Sequence, residues 1–171
     1  MEITTKIPTT FIAIDIETTG LSAVNDKIIE ISAVKFHNRR HIDDYTRLIN
    51  PQRSISYHAS QVNGIDDSMV CNAPKFNDII DELLDFIGDA PLIGHNIKLF
   101  DIGFIQKELG LVLNNPIIDT LPLSRQAFPF LENHQLMTLQ RYLKIETSVN
   151  HRAYDDALST GYLYIRCLQE L

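Results

Sequence analysis

Asp15 and Glu17 interrupt an otherwise apolar run, Phe11-Ile12-Ala13-Ile14-Asp15-Ile16-Glu17, that reads as a central strand. With a period of two they point to one face, their Cα atoms about 6.6 Å apart. Like charges this close at the end of a hydrophobic strand repel and lose hydration unless something positive sits between them. A divalent cation meets both demands, and ligation by carboxylate oxygens alone suits Mg²⁺ or Mn²⁺ rather than a soft metal. Two acids past a strand end, followed by an ordinary Thr18-Thr19-Gly20 turn, would read the same in isolation, so further acids decide the matter.

Asp101 is one of them. Its helical neighbours at i−4, i+3 and i+4 are Ile97, Phe104 and Ile105, an apolar stripe that suits a carboxylate poorly. Taken alone it is equally a first-turn acid drawn to a helix dipole. The run Asn150-His151-Arg152-Ala153-Tyr154-Asp155-Asp156 opens a last helix whose inner face is Ala153, Ala157, Gly161, Tyr164 and Leu168. Asp155 and Asp156 lie on opposite borders of that face, each roughly 130° from its centre, so helical phase does not choose between them. His151 has an intrinsic pKa suited to moving a proton near neutrality.

The elements that must position these groups follow from periodicity. Three β-like segments come first: the Phe11 strand, a second at Ile28–Phe36, and a third around Asp43 to Ile49 after a turn at Asn38-Arg39-Arg40. The stretch from Pro51 to Pro74 is loop-rich, with a turn at Asn63-Gly64. A clean i, i+3, i+4 pattern then runs from Phe76 to Ile87 and stops at Gly88. Leu92-Ile93-Gly94 reads as a short buried strand, Asn96 as the cap of a helix through Leu109, and Ile117-Ile118 as one more strand. Thr120–Phe128, Gln135–Leu143 and Arg152–Leu168 read as helices. Strands early, then strands alternating with helices, predict an α/β fold with a mixed sheet covered by helices, and a site at the strand ends.

With 171 residues, 44% of them hydrophobic, the chain fits a single domain over residues 1–171. It has no long apolar run, Met1–Lys6 lacks the plan of a secretion signal, and Cys71 and Cys167 form no CxxC pair. A cytoplasmic protein without membrane contact or zinc is therefore expected. A formal net charge of −7 argues against holding nucleic acid on a broad basic surface. It is compatible with a nuclease whose carboxylates bind metal and whose metal attracts phosphate.

In order, DxETTGL at Asp15–Leu21, GHN with FD a few residues on at Gly94–Asp101, and HxAxxD at His151–Asp156 resemble the three exonuclease motifs of the DEDD superfamily, in its histidine-containing branch. The branch includes the proofreading epsilon subunit and the exonuclease domain of bacterial DNA polymerase III, and the resemblance covers Phe11 to about Leu168. It implies a ribonuclease H-like fold, a central mixed five-stranded sheet flanked by helices. It places Asp15, Glu17, Asp101 and Asp156 as ligands of two divalent cations, Mg²⁺ or Mn²⁺, with His151 as general base. Asp156 is chosen over Asp155 because the family motif sets its aspartate five positions after the histidine. Two departures stand out. The family spacing HNxxFD is one residue longer here, and the chain stops soon after the last helix, without the polymerase-binding extension of epsilon-type subunits.

The resemblance further implies a metal-dependent 3′–5′ exonuclease acting on nucleic acid 3′ ends, with single-stranded DNA preferred, releasing nucleoside 5′-monophosphates in proofreading or repair. Thr18, Leu21, His95, Asn96 and Phe100 are its candidate substrate contacts, although for Phe100 a core position is the stronger reading. A DNA polymerase, as partner or as fused domain, is the expected associate. An exoribonuclease, or a non-catalytic module that binds ends or a polymerase, are the competing readings.

Overall fold

The computed structural model describes residues 7–146 and 152–171. Its centre is a five-stranded sheet in the order β3-β2-β1-β4-β5, formed by β1 (Thr10–Thr18), β2 (Ile28–His37), β3 (Arg40–Leu48), β4 (Leu92–Gly94) and β5 (Ile117–Asp119). β1, β2 and β3 form an antiparallel meander, whereas β4 and β5 run parallel to β1. The sheet is therefore mixed, as expected.

β1 is apolar at almost every position because both of its faces are covered. Ile12, Ile14 and Ile16 pack with Phe76, Leu83 and Ile87 of α3 (Phe76–Ile87) and with Phe104 and Ile105 of α4 (Asp101–Leu109). Phe11 and Ala13, with Phe36 and Ile93, meet Ala157, Tyr164 and Leu168 of α7 (Ala153–Glu170) on the other face. α5 (Thr120–Ala127) and α6 (Leu136–Leu143) close over the far side of α7 around Leu139, Leu163 and Cys167. β3 is one of the two edge strands; only Tyr45 in it is buried, and its exposed positions carry Arg40, Asp43 and Asp44, charges that discourage edge pairing.

Two segments differ from the periodic reading. The loop-rich stretch holds two short helices, α1 (Tyr57–Asn63) and α2 (Asp67–Val70). Caps define them better than periodicity: Ser56 accepts from Ala59 N–H, Gly64 closes α1 at φ 69°, and Asp66 accepts from Ser68 and Met69. Helices of seven and four residues are too short to show a 3.6-residue pattern. The second difference concerns Asn96, which does not cap α4. It adopts a left-handed conformation, φ 63°, inside a turn that delays the helix to Asp101. The Asp119 carboxylate gathers this turn by accepting from Asn96 N–H (2.9 Å) and Lys98 N–H (3.3 Å) while capping α5 through Leu121 N–H.

α7 lies against β2 so closely that a Cβ on Gly161 would overlap the Phe36 ring. Phe36 is itself stacked on Phe11 with ring centroids 4.9 Å apart, so it has little room to yield. Gly161→Ala is expected to destabilise the fold by about 1–3 kcal/mol, read as a fall of a few degrees in Tm. An unchanged or higher Tm would show that this interface has slack.

Candidate active site

Pleating places Asp15 and Glu17 on the α7 face of β1, beyond Phe11 and Ala13, at the strand's C-terminal end. The first turn of α7 brings Asp156 to the same place. One carboxylate oxygen from each of Asp15, Glu17 and Asp156 lies within 4.8 Å of the other two. Asp101 arrives from the opposite face, at the start of α4. Its buried carboxylate accepts the backbone N–H of Ile16 and its own N–H, which ties it to β1 between the two strand acids. Asp155, the neighbour that helical phase left equivalent, is buried and influences Arg152 instead of joining the trio.

Burial and mutual repulsion make the charged forms of these acids costly. Asp15 is pushed well above the carboxylate range, first by burial and then by Asp101, Asp156, Glu17 and Glu30. Glu17 rises to about 8, again first by burial and then by Asp156, Glu30 and Asp101, with only Arg152 opposing. Asp101 rises to about 7 through burial, although the two N–H groups it accepts pull the other way. All the donors are hard oxygens, and a divalent cation among them would remove both the repulsion and the desolvation cost. The residues present therefore fit Mg²⁺ or Mn²⁺.

A fifth acid, missed in the sequence, holds this arrangement in place. Glu30 pairs with Glu17 in the β1–β2 register and is 2% exposed. Its carboxylate accepts from Arg152 Nε (3.0 and 3.2 Å) and Nη2 (2.5 Å), and from the Ala153 N–H (3.0 Å) that opens α7. The helix bearing Asp156 is thus pinned to the strand beside the one bearing Glu17. The signal was a lone acid in Ile28-Ile29-Glu30-Ile31, a strand too apolar to carry an unpaired charge. On the other flank, Gln140 of α6 reaches Asp156 Oδ1 at 3.5 Å.

The remaining sequence candidates divide. Leu21 is 88% exposed beside the site, and Thr18 is buried, its hydroxyl donating to Gly20 O at 2.6 Å and its carbonyl accepting from Asn63 Nδ2. Phe100 packs against Phe104, ring centroids 5.0 Å apart, and borders the core. Both His95 ring nitrogens are engaged within the protein, Nε2 with His134 O (2.8 Å) and Nδ1 with the Thr120 hydroxyl (2.9 Å), so its side chain is a brace between loops. Asn96 faces a cavity beside that brace. His151 lies outside the described residues.

Residues 12–164 match the profile of the exonuclease family RNase_T. The chain belongs to this exonuclease family. It is an exonuclease, an enzyme of the hydrolase class. It is 42% identical over 164 residues to the DNA polymerase III PolC-type of Caldanaerobacter subterraneus subsp. tengcongensis, and 40% identical over 166 residues to that of Bacillus subtilis. Each match covers 94% of this chain but 12% of the relative, so the exonuclease chain spans about an eighth of those proteins. Among solved structures, exonuclease X in complex with 5′ overhanging duplex DNA superposes with a TM-score of 0.76 at 26% identity, over 93% of this chain and 91% of that one. Exonuclease I shares the ribonuclease H-like fold, with a TM-score of 0.80 at 18% identity, over 93% of this chain and 40% of its own. Among the described residues, no helix of this exonuclease is long and apolar enough to cross a membrane.

The repulsion at the site has a measurable consequence. Because Glu17 is raised from 4.5 to about 8, the folded protein holds its proton where the unfolded chain has lost it, and stability falls as pH rises through that window. Glu17→Gln should therefore raise the Tm of EDTA-treated protein by roughly 5 °C near pH 8 and leave it unchanged at about pH 4. With Mn²⁺ added the order should reverse, since the variant has lost a ligand. A lower Tm for the variant in EDTA at pH 8 would contradict the electrostatic reading.

Proposed function

We propose that this exonuclease removes nucleoside 5′-monophosphates one at a time from the 3′ end of single-stranded DNA, in a metal-dependent reaction that serves proofreading. The observation that carries the reading is the convergence of Asp15, Glu17 and Asp156, with Asp101 behind them, into a half-buried cluster that only cations can relieve. Asp15, Glu17, Asp101 and Asp156 would hold two ions, Mg²⁺ or Mn²⁺. When bound, such ions supply Lewis-acid stabilisation of phosphoryl charge and a lower pKa for water.

The chain's own groups then have distinct tasks. His151, one residue before Arg152, takes the proton from the attacking water as that oxygen bonds to phosphorus and the bond to the 3′-oxygen breaks. The Glu30–Arg152 pair holds the start of α7, and with it Asp156, at the strand end. Backbone groups around Thr18 and the exposed side chain of Leu21 meet the terminal nucleotide. Val62 of α1, 53% exposed, is on the helix whose Asn63 bonds Thr18 O, and it extends the apolar surface available to a base. The polymerase context of the relatives supports DNA as substrate and a polymerase as the associated domain.

Single strands labelled at either end, incubated with Mn²⁺ or EDTA, provide the test. Mononucleotides should leave the 3′ end first, only with metal, and a 3′-phosphate should slow release. Cleavage of a closed circular strand, release from the 5′ end, or a preference for RNA would overturn the assignment as stated.

In the same assay, Asp156→Asn should abolish hydrolysis and Asp155→Asn should retain most of it. His151→Ala should lower turnover by roughly 10²–10⁴-fold while Mn²⁺ still raises Tm, because the imidazole acts on water and not on the ions. Equal losses at Asp155 and Asp156 would place the ligand wrongly.

A further inference from the structure

The loop 20–27 leaves the strand that bears Asp15 and Glu17, and it presents Leu21 and Val24 to solvent, 88% and 81% exposed. A surface loop with apolar tips in water is ordinarily mobile. This one is tied at its base, across its middle and from two other elements. Thr19 N–H donates to Lys27 O (2.9 Å), and Lys27 N–H donates to the Thr19 hydroxyl oxygen (3.1 Å). Asn25 and Asp26 N–H both donate to Ser22 O, at 3.0 and 2.7 Å. From outside, Lys107 Nζ of α4 donates to Val24 O (3.0 Å) and Asp26 O (3.2 Å), and Arg53 Nη1 donates to Asn25 O. Ala23 lies against the first turn of α4, where a Cβ on Gly103 would meet its methyl group at 3.6 Å. The loop is thus seated between the strand of Glu17 and the helix of Asp101.

The Asp26 carboxylate is the hub of these ties. Its Oδ1 accepts from the Thr19 hydroxyl at 3.1 Å and its Oδ2 from Ser22 N–H at 3.0 Å, so one side chain grips the backbone on both sides of Leu21. Gly20 lies directly beneath it. A Cβ there would come within 2.5–2.7 Å of the carboxyl atoms, so the close approach requires glycine.

We infer that Asp26 is a positioning residue for the exonuclease reaction, fixing the loop so that Leu21 is already in place when a strand arrives; the inference rests on the exonuclease reading. A side chain carried on a pre-ordered loop loses less entropy on binding, and the gain appears as affinity. Asp26 therefore acts on KM, and leaves kcat and metal binding nearly alone. Its charge works in the opposite direction, since an anion near the substrate repels phosphate. Brace and charge are separable by asparagine. The Asn Oδ1 can accept from Ser22 N–H while its Nδ2 donates to the Thr19 hydroxyl oxygen, which keeps the brace and removes the charge.

Steady-state kinetics on a thymidine octamer with Mn²⁺ provide the test. Asp26→Ala should raise KM roughly tenfold and change kcat by less than about threefold, with the Mn²⁺-dependent rise in Tm intact. Asp26→Asn should stay within about twofold of the parent KM. Gly20→Ala keeps the carboxylate but fills its seat, so it should reproduce the rise in KM; it carries the test if Asp26→Ala melts at the assay temperature. Leu21→Ala should raise KM in the parent and add little in the Asp26→Ala background, because the brace acts through that side chain. An unchanged KM in Asp26→Ala, equal effects of alanine and asparagine, or fully multiplicative effects with Leu21→Ala would overturn the positioning role while the exonuclease reading stands. If the parent hydrolyses nothing, the exonuclease reading fails instead, and fluorescence anisotropy of a 5′-fluorescein thymidine octamer with Ca²⁺ decides the loop's role. Binding roughly tenfold weaker for Asp26→Ala but not for Asp26→Asn supports it, and equal binding by all three proteins refutes it.

Discussion

Carboxylates crowded into a half-buried strand end repel one another, and the structure around them is a set of answers to that repulsion. Asp15 and Glu17 share a face because of the pleat, Asp156 is brought to them by α7, and Asp101 is hydrogen-bonded to Ile16 from behind. Asp15 and Glu17 are pushed toward their protonated forms by burial and by the neighbouring acids, and Asp101 by burial. The same Coulomb energy that makes the cluster costly without ions would favour a cation placed within it. A site this unfavourable persists only because the surrounding core over-determines its geometry.

Glu30 and Arg152 show how that is done. Arg152 offsets part of the field that Glu30 adds to the cluster, and the pair joins β2 to the first turn of α7 through four hydrogen-bond contacts. Leaving either partner alone in so buried a position would be costly, and the two elements are accordingly committed to one relative placement. Further down, the small face of α7 lets the helix settle against Phe36. Contact near the site and packing far from it thus set the same register between helix and sheet.

Asp119 and His95 do a comparable task on the other side. The longer spacing between His95 and Asp101 is absorbed by a turn gathered around the Asp119 carboxylate, which leaves Asp101 at the first position of α4. His95, with both ring nitrogens engaged, ties that turn to the loop before α6.

Read alone, the chain already determined its strand order in time, its main helices and the identity of four acids, because an apolar core imposes periods of 2 and 3.6 and because carboxylates in apolar surroundings are conspicuous. Asp15, Glu17 and Asp101 stand out in this way, and Asp156 followed from motif spacing. Helical phase did not separate Asp156 from Asp155, since it places both at the border of one face; motif spacing made the choice, and the direction to Glu17 that gives it a physical reason exists only once α7 is docked. The tertiary structure alone gave Glu30 its meaning, because the partner Arg152 lies 122 residues away. The short helices α1 and α2, the left-handed Asn96 and the inward His95 were likewise decided by caps and by distant hydrogen bonds, which leave no periodic trace in the residues themselves.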